Sequence, residues 1–241
     1  MKPLIRWTIG PVHRLGFEAL EYSTKYLKKI YGDQFDYLIC HNQQSPNRLE
    51  CIKKLGIPLY EQTCEIPGMW PIDGKFHTGW KLYPPRLRQD AHEIVIDNDV
   101  IIFKRLKVID RFLESNKVLF TSGRFRNLGP YEEDVPKGMM FNSGIIGFPP
   151  GFDFTSMVLE KMSHGNGWSD NYFEEQGIIA SILTNQDFIE IPNQTVMTMH
   201  HINDMSGTNP WKAKGFHFVE SNRGNNHCWE DLVMSDFYIR R

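Results

Sequence analysis

Between Leu4 and Tyr60 the chain switches repeatedly between two hydrophobic periods, and this alternation limits its fold more than any other feature. Leu4 to Ile9 is a short apolar run that stops at Gly10-Pro11. Leu20, Leu27 and Ile30 then recur at helical spacing, closed by Gly32. Phe35 to Cys40 is a second strand. Ser45-Pro46 opens a helix to Gly56, with proline at the first position, where its missing N–H is not needed. Ile57 to Tyr60 is a third strand. Helical crossovers return the chain to the end where it started, so such strands pair in parallel with helices covering the sheet. The expectation is an α/β fold with a Rossmann-like, mainly parallel central sheet. A length of 241 residues suits one substantial core. With no repeat, linker or low-complexity tract, residues 1–241 read as a single domain.

Beyond this unit, residues 65–80 form a long loop rich in Pro, Gly and aromatics, including Trp70, Phe76 and Trp80. Loops of that length in compact domains tend to be functional. A basic segment follows, Lys81 to Arg88. Further elements are expected as helices at 106–115, 154–162 and from an Ser169 N-cap to Leu183, and strands at 117–121, 139–148, 188–191 and 215–219. A terminal helix is expected at 228–237. Apolar residues at 41% and charged ones at 23% describe a folded protein. A net charge of −2 gives no electrostatic case for nucleic acid. The four cysteines are scattered without a C-x-x-C pair, as in a reduced compartment. No apolar run is long enough for a transmembrane segment. These features together imply a cytoplasmic protein, with peripheral membrane contact left open.

Residues 92–103 read His-Glu-Ile-Val-Ile-Asp-Asn-Asp-Val-Ile-Ile-Phe. Asp97 and Asp99 interrupt what is otherwise a buried, β-branched strand, where an uncompensated charge costs several kcal/mol or more. In an extended chain, residues two apart share a face, so both carboxylates converge and Asn98 points away. Two convergent oxygen ligands suit a hard divalent cation that itself holds a phosphate. The other reading is a strand ending in an Asx turn, with the aspartates capping backbone amides.

Three further patterns carry polar groups into apolar surroundings. In Met139 to Ile146, Asn142-Ser143 sits inside an apolar run, and Gly144 would let a ligand approach the backbone; a satisfied β-bulge explains the same pattern. In the helix after Ser169, Tyr172, Gln176, Ile179 and Leu183 fall on one stripe. Gln176 is then inward, Glu175 flanks it and Glu174 faces outward. Gln176 and Glu175 could meet a sugar's hydroxyls or bond to a neighbouring loop. In Gly215 to Val219, alternation sets Phe216 and Phe218 on one face and His217 on the other, where an imidazole fits as third ligand beside two carboxylates. Arg223 could hold a phosphate bidentately. His200-His201 is a rival ligand site.

In this order, the strand with Asp-x-Asp, Phe-Asn-Ser-Gly, the acidic–Gln–Gly helix and the late His-Phe resemble the nucleotide-sugar glycosyltransferases of the GT-A fold. The pattern is most similar to glycosyltransferase family eight, the glycogenin and lipopolysaccharide galactosyltransferase type, and spans Leu4 to about Trp229. The resemblance implies that Asp97 reaches metal and ribose, that Asp99 is the principal metal ligand and that His217 is the third. It places Asn142, Glu175 and Gln176 around the donor sugar and the reacting centre. Ile9, Lys81, Arg86, Gly144 and Arg223 are expected on the donor, where the cations would supplement the charge that balances its phosphates. The sequence departs from the family where Glu220 replaces a glycine, Arg223 a lysine and Glu175 the usual aspartate.

The function implied is a Mn²⁺- or Mg²⁺-dependent transfer of a sugar from a UDP- or GDP-linked donor to the hydroxyl of a glycan or glycoconjugate acceptor, with retention. The aromatic loop from Trp70 to Tyr83 is expected to stack on base or acceptor and to exclude water. An inverting enzyme with Glu175 as base is one alternative. A carbohydrate-binding protein with a degenerate site is another. A sugar nucleotidyltransferase shares the architecture but needs a glycine-rich basic loop, and Thr8 to Gly16 holds only two glycines and one arginine. A phosphatase of the haloacid dehalogenase type is contradicted by Val100-Ile101 after the second aspartate.

Overall fold

The computed structural model describes residues 1–42, 44–63, 66–72, 78–165, 167–169, 171, 173–199 and 212–219. The first unit runs β1 (Leu4–Ile9), α1 (Arg14–Tyr31), β2 (Asp36–His41), α2 (Pro46–Lys53) and β3 (Leu59–Glu61). α1 ends at Gly32, whose φ of 51° is available to glycine at no steric cost. Next come a 3-10 turn at Thr78–Leu82, β4 (Glu93–Asp97), β5 (Val100–Ile102), α3 (Lys107–Leu113), β6 (Val118–Ser122) and a 3-10 segment at Gly129–Asp134. β7 (Phe141–Phe148), α4 (Phe154–Ser163), α5 (Glu174–Leu183), β8 (Phe188–Ile191), β9 (Val196–Met199) and β10 (Gly215–Phe218) complete the described elements.

Seven strands form the central sheet in the order β3-β2-β1-β4-β7-β6-β8. All neighbours pair in parallel except β7, which is antiparallel to both β4 and β6. The mainly parallel α/β sheet flanked by helices is therefore present. β1 and β4 alternate between two cores. Ile5, Trp7, Ile94 and Ile96 face one core, covered by α1, α2 and α3; Val95 faces the other, built from α4, α5 and the segment around Trp70 to Tyr83. Asp97 falls on the Val95 face by the same alternation. No helix among the described residues is long and apolar enough to cross a membrane.

Four expectations are corrected. The aspartate segment is two strands: β4 ends at Asp97, the chain turns at Asn98-Asp99, and β5 enters a separate sheet ordered β5-β10-β9. The two carboxylates converge through this turn between sheets, while Asn98 is buried with its amide donating to the Gly16 carbonyl at 3.1 Å. Second, α5 begins at Glu174, after the expected cap. Glu174 is buried, with its carboxylate accepting from the Ser169 backbone N (2.6 Å) and Oγ (2.8 Å), so Ser169 binds this residue and Glu174 does not face solvent. Third, β9 lies in a stretch assigned no element. Fourth, the described aromatics of the long loop are core residues. Trp70 donates to the Met162 carbonyl at 2.8 Å and packs edge-on against Trp168, and Trp80 and Tyr83 are buried against each other. Tyr83 Oη donates to the Trp70 carbonyl. Packing of these rings into the core accounts for their place in the loop. Phe76 and the expected helix at 228–237 lie outside the described residues.

Candidate active site

The site gathers at the C-terminal edge of the parallel strands, where α/β sheets open their ligand crevices. Asp97 closes β4 and Asp99 follows the turn. β10 lies antiparallel to β5 with His217 opposite Val100, which brings a residue more than a hundred positions away to the same turn. Phe216 and Phe218 pack into a small core with Leu15, Ile101, Met197 and Met199, leaving His217 on the opposite face. Its Nε2 lies 3.4 Å from Asp99 Oδ1 and 3.5 Å from Asp97 Oδ2. One ligand atom from each of the three residues falls within 4.8 Å of the others. Oxygen and nitrogen ligands on a single ion with bonds of about 2.0–2.2 Å sit roughly 3–4 Å apart, so the donor set and its spacing fit a hard divalent cation.

His217 is seated on the Asn142-Ser143-Gly144 stretch of β7. Asn142 Oδ1 lies 3.1 Å from His217 Nδ1 and accepts from the Gly144 backbone N at 2.9 Å. A Cβ on Gly144 would stand 2.5 Å from His217 Nδ1. This stretch is a bulge. Phe120 pairs with Ile146 while Thr121 pairs with Asn142, which takes Ser143, Gly144 and Ile145 out of register with β6. The irregularity expected of this motif is present, and it frees groups that meet His217 and Lys81.

Ser143 turns to the other side of the site. Its carbonyl and its hydroxyl each lie 3.0 Å from Lys81 Nζ, and its backbone N donates to Gln176 Oε1 at 3.2 Å. Lys81 also meets Asp97 Oδ1 at 2.7 Å and Glu175 Oε1 at 3.2 Å. Asp97 is therefore divided, with Oδ1 on the ammonium and Oδ2 toward His217. Burial alone would lower the Lys81 ammonium, but the charges of Asp97 and Glu175 outweigh it and raise it. Burial pushes the Glu175 carboxyl up to about 7, against the pull of Lys81. For His217, burial acts downward, and the hydrogen bond and charge of Asp99, with Asp97 behind it, carry the imidazole above its ordinary value. Gln176 is half-buried and spans two segments, since its Nε2 also donates to the Asn127 carbonyl at 2.7 Å.

Of the residues singled out in the sequence, Asp97, Asp99, Asn142, Gly144, Glu175, Gln176, His217 and Lys81 come together. Ile9 is buried at the end of β1 and offers its carbonyl to Asn42 N and Gln44 Nε2. Arg86 does not join. Its guanidinium donates to the carbonyls of Arg88, Ala91, Pro149 and Phe152, so it ties loop to sheet. Arg223, His200, His201 and Tyr172 lie outside the described residues.

Sequence reasoning passed over two features. The first is Ser143, inside a motif already singled out but read only for its neighbours. The second is a row of buried polar atoms without hydrogen-bond partners along the ends of β1 and β2: Thr8 Oγ1, His41 Nδ1, Asn42 Oδ1 and Gln44 Oε1. Gln62 sets the Asn42 amide. Gln62 Nε2 donates to the Trp80 and Tyr83 carbonyls, so its Oε1 accepts from Asn42 Nδ2 at 3.2 Å and Asn42 Oδ1 is left over. Buried polar atoms are rarely left unpaired without a reason. The signal was present in His41-Asn42, two polar residues at the C-terminal end of a parallel strand.

No protein-family model matches this sequence, and no curated protein matches it either. Solved structures do match. The galactosyltransferase LgtC, in complex with donor and acceptor sugar analogues, superposes with a TM-score of 0.58 at 12% identity over 91% of this chain and 87% of that one. The bifunctional glycosyltransferase WbbM gives 0.63 at 13% identity over 97% of this chain and 51% of its own length. Mouse xyloside xylosyltransferase 1 gives 0.54 at 12% identity, covering 92% of this chain and 98% of that one. The chain has the GT-A fold of these glycosyltransferases.

Proposed function

We propose that the protein is a metal-dependent glycosyltransferase that moves a sugar from a UDP- or GDP-linked donor to the hydroxyl of a glycan or glycoconjugate acceptor, with retention of configuration. The observation that carries this reading is the meeting of Asp97, Asp99 and His217 at the crevice edge of a GT-A sheet. Departure of the nucleoside diphosphate builds negative charge on its oxygens. Mn²⁺ or Mg²⁺ held by these three side chains would supply Lewis-acid stabilisation of that charge. Lys81 holds Asp97 Oδ1 and so keeps Oδ2 turned to the cation side. The unpaired polar atoms of Thr8, His41, Asn42 and Gln44 lie where α/β folds take a nucleoside, and they offer acceptors to the N–H groups of a base. Arg223 is proposed as a further phosphate ligand.

Retention is favoured by what surrounds the helix residues. An inverting enzyme needs a carboxylate base at the acceptor hydroxyl. Glu175 is 4% exposed and engaged by Lys81, and Gln176 cannot act as a base. Both suit binding and positioning of the donor sugar.

The test is a panel of nucleotide sugars with Mn²⁺, followed by nucleoside diphosphate release and by NMR of the product. One donor should turn over, lose turnover in EDTA and give a product with the donor's anomeric configuration. An inverted product, with Glu175→Gln inactive, would make Glu175 the base. Glycan binding that ignores both donor and metal would return the protein to the non-catalytic reading.

A further inference from the structure

The family resemblance implies a place for Asn142 beside the donor sugar, and in the structure its side chain meets Gly144 and His217. A backbone N–H can only donate, so the atom that accepts from Gly144 N at 2.9 Å must be the amide oxygen of Asn142. The hydrogen bond thereby fixes the amide orientation. The same oxygen faces His217 Nδ1 at 3.1 Å. An oxygen that can only accept requires a proton on that nitrogen. In the neutral imidazole the lone pair is then on Nε2, the nitrogen that faces Asp97 Oδ2 and Asp99 Oδ1.

We propose that Asn142 is a positioning residue for His217: its carbonyl oxygen holds the proton on Nδ1 and turns Nε2 into the cation site. This rests on the metal-dependent reading above. Gly144 belongs to the same device. A side chain there would place its Cβ 2.5 Å from Nδ1, 2.7 Å from Cε1 and 2.8 Å from Asn142 Oδ1, inside the hydrogen bond itself. The glycine keeps the seat open while its N–H aims the amide. Hydrogen bonds to the far nitrogen of a ligating histidine fix its tautomer and raise its basicity, and removing the partner typically weakens metal binding about 10–100-fold. An asparagine and a glycine on β7 thereby serve a histidine on β10, in a different sheet.

The experiment measures Mn²⁺ binding to the full chain without any sugar nucleotide, by calorimetry and by electron spin echo spectroscopy of the bound ion. In the wild type, an imidazole nitrogen should couple directly to Mn²⁺. Asn142→Leu keeps the volume but removes the acceptor. It should weaken binding about 10–100-fold and lose the nitrogen coupling, leaving the carboxylates. Asn142→Asp keeps an acceptor oxygen and should restore both. Gly144→Ala should behave like Asn142→Leu. If Asn142→Leu does not fold, as judged by circular dichroism, Asn142→Ala carries the same expectation. Unchanged affinity and coupling in folded Asn142→Leu, with only the donor KM altered, would overturn the proposal and return Asn142 to the sugar. Asp99→Asn separates the two readings. If the wild type binds Mn²⁺ and Asp99→Asn does not, a silent Asn142→Leu sinks the positioning role alone. If the wild type and Asp99→Asn both fail to bind, the metal reading fails and takes this proposal with it.

Discussion

Lys81 is an ammonium with 7% of its side chain exposed, and four oxygens hold it: Asp97 Oδ1, Glu175 Oε1 and two from Ser143. Whether such a pair stabilises a fold relative to apolar residues is case-dependent, but deleting one partner leaves an uncompensated buried charge. Lys81→Met should therefore cost about 3–5 kcal/mol in urea unfolding. Glu175→Gln added to it should recover part of that loss, because the neutral amide no longer lacks a counter-charge. A single variant as stable as the wild type would show that the ammonium is dispensable to the fold. The sequence reading places Lys81 on the donor. Its actual partners come from β4, β7 and α5, and nothing local to residue 81 identifies them.

At the scale of elements, two close contacts hold the parts of the site in register. Arg6 on β1 and Glu93 on β4 form a fully buried pair at 2.7 Å. The guanidinium also donates to the Pro84 and Pro85 carbonyls, and the other Glu93 oxygen accepts from the backbone N of Leu87 (2.9 Å) and Arg88 (2.7 Å). The pair clamps the segment that follows Lys81 to the sheet. Glu93→Gln should cost about 3–5 kcal/mol, and the Leu87 and Arg88 amides should lose protection in hydrogen exchange while the strand amides of β6 keep theirs. The second contact is between α5 and the 3-10 segment at Gly129–Asp134. A Cβ on Gly177 would run into the Leu128 carbonyl and stand 2.9 Å from the Tyr131 ring. Gly177→Ala should destabilise by about 1–3 kcal/mol and, by moving Gln176 off the Asn127 carbonyl, lower kcat more than it raises the donor KM. Equal activity and stability in Gly177→Ala would mean that the two segments separate without consequence.

For the molecule as a whole, the Asp97–Asp99–His217 cluster joins the central sheet, through Asp97, to the small sheet, through His217. A ligand that binds only the folded state adds stability of RT ln(1 + [L]/Kd), about 2.7 kcal/mol at a hundredfold excess over Kd. Mn²⁺ should therefore raise the Tm in a concentration-dependent way, and Asp99→Asn should abolish the rise. A rise that persists in Asp99→Asn would place the binding elsewhere. The GT-A architecture shared with LgtC and WbbM at 12–13% identity shows how little sequence this arrangement needs, since sheet order and burial can be kept while most side chains change.

The sequence by itself determined what depends on local pattern. Strand–helix alternation dictated the β1–α1–β2–α2–β3 unit, and observed boundaries such as Leu4–Ile9 and Phe188–Ile191 coincide with the apolar runs. The period of two turned His217 away from Phe216 and Phe218, because strand geometry acts within a few residues. Only the tertiary structure decided what depends on distant partners. The aspartate run looked like one strand because β4 and β5 are both buried, and burial does not say that they belong to different sheets. Glu174 looked solvent-facing from its helical position, yet the Ser169 segment folds over it. Arg86 and Trp70 carry functional-looking side chains that the fold uses for carbonyls and core. Asn142 could be recognised as a polar residue in an apolar strand, but its partner lies 75 residues away, brought to it by the antiparallel pairing of β10 with β5. Hydrophobic period is a property of the chain, whereas the partner of a buried polar group is a property of the packed molecule.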